Sequence, residues 1–122
     1  MTFANRVLGF VNAPALMQRV VARLQGSQVD LAAYTRKRRL LCDVLADCGY
    51  DFVRPAGAFY LFPRSPLADD VAFVQKLQES LILAVPGSGF GGPGYFRLSY
   101  CVADATITNA AEGFKTALAS VS

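Results

Sequence analysis

Apolar positions recur at helical spacing through the first 48 residues and at strand spacing in the middle of the chain. Residues 1–10 read as a helix with Phe3, Val7, Leu8 and Phe10 apolar. Asn12-Ala13-Pro14 breaks it: Asn12 can cap, and Pro14 sits early in the next helix. That second helix runs to about Leu24, with Leu16, Val20 and Leu24 four apart and Arg19 and Arg23 elsewhere on its surface. Gly26-Ser27 ends it. Asp30 then caps a long helix to Cys48, whose apolar stripe is Leu31, Tyr34, Leu41, Leu45 and Cys48, and Gly49 is placed as its C-cap.

The period then changes. Residues 51–54 form a short strand candidate, and residues 58–62 form a second, ended by Pro63. The second is aromatic on both faces, which predicts a strand covered on both sides. Ser65-Pro66 opens a helix with Asp69 and Asp70 at its positive end, and Val71, Val74, Leu77 and Leu81 carry its buried face. Residues 81–85 read as a third strand, residues 86–94 as a glycine-rich loop, and residues 95–102 as a fourth strand. Phe96, Leu98, Tyr100 and Val102 share one face of that strand; Tyr95, Arg97, Ser99 and Cys101 share the other. Asp104 caps a last helix with Ile107, Ala111, Phe114, Leu118 and Val121 at intervals of four and three. The order predicts an α+β fold: a small, mainly antiparallel sheet with helices packed on one face, preceded by helices.

At 122 residues and 13.1 kDa the chain fits one domain of ordinary size. Apolar residues are 53% and charged residues 17%, with a mean hydropathy of +0.33. That excludes intrinsic disorder and a coiled coil. No uninterrupted apolar run reaches the roughly 20 residues of a bilayer span, and the N-terminus lacks the long apolar core of a signal peptide. The apolar excess therefore points to a surface covered by a partner. A net charge of +3 decides little. Cys42, Cys48 and Cys101 have no paired spacing, and the chain has no His, so a zinc site and Ser–His or Cys–His nucleophiles are excluded. The cysteines read as small buried hydrophobes in a reducing compartment.

Gly87-x-Gly89-x-x-Gly92 has the dinucleotide spacing, but Pro93-Gly94 leads into a strand where that mechanism needs a helix N-terminus. The loop reads either as a connection or as bare backbone that approaches a ligand closely. Arg36-Lys37-Arg38-Arg39 spreads around a helix and reads as a solvated face, with Arg39 placed to pair with Asp43. A nucleic-acid surface would need a broader stripe. Arg97 sits mid-strand among apolar residues. It is either an Arg on the wet face of a half-exposed sheet or a fixed fork of two parallel N–H donors for a carboxylate.

The runs 55–63 (PAGAFYLFP), 83–91 (LAVPGSGFG) and 94–100 (GYFRLSY) closely resemble the C-terminal part of class I/II aminotransferases, the fold-type-I enzymes dependent on pyridoxal phosphate. Residues 9–14 (GFVNAP) and Tyr34 followed by Arg38-Arg39 and Leu45 agree with the same pattern, in the same order along the chain. The resemblance is strongest to the aspartate and broad-specificity branch. It implies that residues 29–122 are the C-terminal small domain and that residues 1–28 are a helical segment linking to a large domain. It also implies that Arg97 binds the α-carboxylate of an amino-acid substrate.

The family holds its cofactor as a Schiff base on a Lys that lies upstream of these motifs. Lys37, Lys76 and Lys115 lack the sequence context of that lysine. The resemblance therefore implies no catalytic residue and no pyridoxal phosphate on this chain alone. The parent would be a cytoplasmic homodimer that transfers an amino group to a 2-oxo acid, with the large domain as partner and no nucleic acid or membrane. A stand-alone, non-catalytic binding module of the same fold is the alternative. If Arg97 is the anchor, its guanidinium should face the open side of the sheet near the glycine loop, unpaired with Asp104 or Glu112.

Overall fold

The computed structural model describes Phe3, Val7 and residues 13–121. The helix expected over residues 1–10 and the cap expected at Asn12 lie outside the described residues. Helix α1 spans Ala15–Arg23 with Pro14 as its N-cap, and it buries none of its residues. Leu16, Met17, Val20, Val21 and Leu24 are all exposed.

Helix α2, Leu31–Cys48, follows the sequence at both ends. The Asp30 carboxylate accepts from the Ala33 N–H at 3.0 Å, and Gly49 closes the helix in the left-handed region at φ 90°. The helix buries Leu41, Cys42 and Leu45.

Three short strands form one antiparallel sheet in the order β1 (Tyr60–Leu61), β3 (Phe96–Ser99), β2 (Val85–Pro86). Tyr60 faces Ser99 across one ladder, and Val85 faces Arg97 across the other. All three are shorter than their hydrophobic runs predict. Ala58 has φ 61°, so β1 begins only after it, and the candidate at residues 51–54 contributes one bridge, Phe52 to Pro63. Leu81 also lies in the left-handed region, at φ 60°, where it ends helix α3 instead of starting a strand.

Helix α3 is Asp70–Glu79, beginning at the Asp69 cap and not at Ser65-Pro66. The Ser65 hydroxyl accepts from the Leu67 N–H and closes a local turn instead. The buried face of α3 is Phe73, Val74 and Leu77; Val71 and Leu81 are exposed, contrary to the expected stripe. The last helix divides at Ala110 into α4 (Asp104–Asn109) and α5 (Ala111–Ala119). Ala103, not Asp104, is the N-cap of α4, and the Asp104 carboxylate takes Arg36 at 3.0 Å.

Phe96, Leu98 and Tyr100 turn the buried face of the sheet toward α2–α5. Tyr50 sits among them, its ring edge-on to Phe96 and Phe114 and its hydroxyl donating to the Phe114 carbonyl at 3.0 Å. Burial pushes the Tyr50 phenol well above its usual range. The fold is thus α+β with helices on one face of the sheet. The opposite face is open: Tyr60, Phe62, Tyr95 and Ser99 are exposed, so the strand expected to be covered on both sides is covered on one. Among the described residues, no helix is long and apolar enough to cross a membrane.

Candidate functional site

Strand β3 places Arg97 on the open face, half-buried, between two buried neighbours that anchor the backbone. The carbon at the centre of its guanidinium lies 4.3 Å from the centre of the Tyr60 ring and 3.9 Å from that of Phe90. Two aromatic rings therefore flank the cation and shed water from it, which strengthens any charge–charge contact it makes. Among the described residues, none of the ion pairs or side-chain hydrogen bonds uses Arg97. Asp104 pairs with Arg36 and Glu112 with Lys115.

Phe90 comes from the glycine loop, where Gly87–Phe90 forms a single 3-10 turn closed by Gly91 at φ 74°. The loop is held by its own backbone and by one acid. The Gly87 N–H donates to the Tyr95 carbonyl at 2.8 Å, and the Gly92 N–H donates to the Gly87 carbonyl at 3.0 Å. A Cβ on Gly87 would lie 2.3 Å from the Gly92 oxygen and 2.6 Å from the Tyr95 oxygen, so no side chain fits there. The carboxylate of Asp70, which is 4% exposed, accepts from the Ser88 N–H at 2.8 Å and from the Gly94 N–H at 3.5 Å. Two backbone N–H groups of the loop are thus given to an internal carboxylate.

Two members of the Arg36–Arg39 run, Arg36 and Arg38, bind other parts of the fold. Arg36 takes Asp104, and Arg38 donates to the carbonyls of Pro55 and Ala56 at 3.2 and 3.0 Å. Asp43 pairs with Arg54 across the turn after α2 and not with Arg39. Arg54 reaches it from a separate segment, a contact that helical spacing cannot reveal. Cys42 is buried, Cys48 half-buried and Cys101 exposed, each with a free thiol. The exposure of Cys101 departs from the buried reading: it lies two residues past the end of β3, beside Tyr34 of α2.

The three lysines do not fit a cofactor site. A Schiff-base lysine must lose its proton to attack. The Lys115 ammonium donates to Glu112 at 2.9 Å, and that hydrogen bond raises its pKa. Lys76 is tied to both carboxylate oxygens of Glu79, and Lys37 stands within helix α2.

Asp70, Tyr60 and Phe90 are the site residues that the hydrophobic pattern does not reveal. Two adjacent acids at a helix start carried the one available signal: Asp69 suffices for the cap, which leaves Asp70 over.

The sequence profile of the family Aminotransferase class I and II matches residues 3–114. The aspartate/prephenate aminotransferase of Thermus thermophilus is 41% identical over 88 residues, which are 70% of this chain and 23% of that protein. The crystal structure of an amino transferase from Eubacterium rectale superposes with a TM-score of 0.86 at 38% identity, covering 97% of this chain and 30% of that one. The structure of aspartate aminotransferase from Thermus thermophilus with maleate gives 0.69 at 36% identity, covering 71% and 23%. The chain spans less than a third of the length of each of these relatives.

Proposed function

This chain belongs to the class I and II aminotransferases, and on that premise we propose that it is the C-terminal small-domain part of an enzyme that moves an amino group between an amino acid and a 2-oxo acid, with Arg97 binding the substrate α-carboxylate. The observation that carries this reading is the guanidinium of Arg97, flanked by Tyr60 and Phe90, unpaired within the described residues and held on a strand. A rigid guanidinium with its N–H groups available matches a carboxylate with two parallel charge-assisted hydrogen bonds. That the Thermus thermophilus enzyme has been crystallised with maleate, a dicarboxylate, supports the same ligand chemistry here.

Pyridoxal phosphate would supply the electron sink for the reaction in the intact parent. The lysines here give it no seat, so no step is assigned to it on this chain. What this chain contributes is orientation: Arg97 fixes one end of the substrate, and its flanking rings exclude water from that end. We infer further that residues 1–28 link to the large domain, that this domain covers α1 and the open aromatic face, and that the parent is a homodimer.

The test is made in the intact enzyme carrying this segment. Arg97→Lys keeps the charge and loses the fork; Arg97→Ala loses both. Hydrogen bonds to charged groups contribute about 1.5–3 kcal/mol each, so kcat/KM for amino acids should fall roughly 10²-fold or more. Amines without a carboxylate should be turned over as before. Unchanged amino-acid turnover in a folded Arg97→Ala enzyme would overturn the assignment.

A further inference from the structure

The loop that carries Phe90 has little apolar contact to hold it. Phe90 is 51% exposed, and its described ring neighbour, Phe62, touches it edge-on at 6.2 Å between centroids. The turn is four residues long, and Gly89 and Gly91 have open space around them. Backbone alone of this kind samples several conformations. Against that stand the backbone hydrogen bonds at Gly87, Gly92 and Gly94 and one buried acid. Asp70 opens helix α3, which is fixed in the core by Phe73, Val74 and Leu77. Its carboxylate receives one N–H from each limb of the loop, Ser88 on the outgoing side and Gly94 on the returning side. Asp70 therefore connects the helical layer to the segment that brings the Phe90 ring onto Arg97.

We propose that Asp70 is a positioning residue for substrate binding: its carboxylate pins the loop at residues 87–94 so that Phe90 lies against the Arg97 guanidinium, and thereby sets the affinity for the substrate carboxylate. The structural half concerns this chain alone; the affinity half rests on the reading of Arg97 as the anchor. Asp70 touches neither substrate nor cofactor in this scheme. It acts through two backbone N–H groups, then Phe90, then Arg97. The charge matters as well as the shape, because a carboxylate offers acceptors to both N–H groups at once, whereas an amide turns a donor toward one of them. Loss of the pin would let Phe90 swing into water. The cation would then be flanked by Tyr60 alone, more hydrated and less fixed.

Two readouts test the two halves separately. In the 122-residue chain, NMR of the Arg97 side chain reports the rings directly, because protons over an aromatic face are shifted upfield. Asp70→Asn and Asp70→Ala should lose part of that shift, Asp70→Glu should restore some of it, and Phe90→Leu should lose as much as Asp70→Ala with Asp70 intact. In the intact enzyme, Asp70→Asn should raise KM for the amino acid about tenfold with kcat little changed, and leave carboxylate-free amines unaffected. Asp70→Asn keeps the side-chain volume, and Phe90→Leu lies at the exposed loop tip, so the test stands even where Asp70→Ala fails to fold. A folded Asp70→Asn chain with the full Arg97 shift overturns the pin. A shift lost in Asp70→Asn, with KM unchanged in both Asp70→Asn and Arg97→Ala, keeps the pin and overturns Arg97 as the anchor.

Discussion

Leu81 is the residue whose chemistry and conformation disagree most. It ends α3 at φ 60°, with the Leu81 N–H donating to the Gln78 carbonyl and the Ile82 N–H reaching back to Leu77, the pattern of a left-handed helix stop. Glycine suits that position; a branched side chain crowds its own carbonyl there, at about 1–2 kcal/mol. The side chain returns nothing to the core, being 92% exposed. Leu81→Gly should therefore stabilise the chain by about 0.5–1 kcal/mol once the greater freedom of glycine in the unfolded state is subtracted. Urea unfolding should show a higher midpoint with an unchanged slope. Reading Leu81 as the first residue of a strand was natural from its hydrophobicity, because the left-handed stop has no glycine to announce it.

Among the elements, α2 was legible at both ends because Asp30 and Gly49 are strong signals and the span between them is long. The strands were legible as positions and not as lengths. The strands are only two to four residues long, limited by Ala58, Leu81 and the prolines that follow β1 and end β2. Arg97 could be picked out because a charge in an apolar strand is conspicuous. Its clamp could not, since Tyr60 and Phe90 come from separate segments that only the folded sheet and loop bring together.

The join between α3 and the loop also carries a pH signature. The Ser88 N–H holds the Asp70 carboxyl below the usual carboxylate range against the opposing push of burial, and the Ser88 side chain and the Gly94 N–H add to it. A depressed folded value means that this stabilisation is fully present above the unfolded pKa of about 3.9 and is lost as pH falls through the folded value. Asp70→Asn has no such proton to gain. The difference in Tm between the two proteins should be largest near neutrality and shrink as pH falls below about 4. A constant gap across that range would show that the carboxylate charge is not what holds the loop.

At the scale of the whole molecule, the apolar excess read from composition resolves into two surfaces. One is α1, with Leu16, Met17, Val20, Val21 and Leu24 exposed; the other is the aromatic face of Phe59, Tyr60, Phe62, Phe90 and Tyr95. Such surfaces are large for an isolated domain of this size. The chain by itself should associate, giving dimers or larger species in sedimentation velocity that grow with concentration. Charged substitutions at Leu16 and Val20 should shift that equilibrium toward monomer and leave the Tm of the monomer at low concentration unchanged, since neither residue contributes to the core. A strictly monomeric chain at high concentration would count against a covered surface in the parent.

The pin at Asp70 also divides the segment by how freely it can be rewritten. Its partners at 88 and 94 are backbone N–H groups, which every residue but proline supplies. The Ser88 side chain adds a hydrogen bond of its own to the carboxylate, so position 88 keeps a preference for a hydroxyl, whereas Gly94, at φ 79°, is constrained by its backbone shape. Asp70 has no such latitude. The memory of the loop's conformation is stored eighteen residues upstream of Ser88, in a helix that a comparison of loop sequences would never inspect.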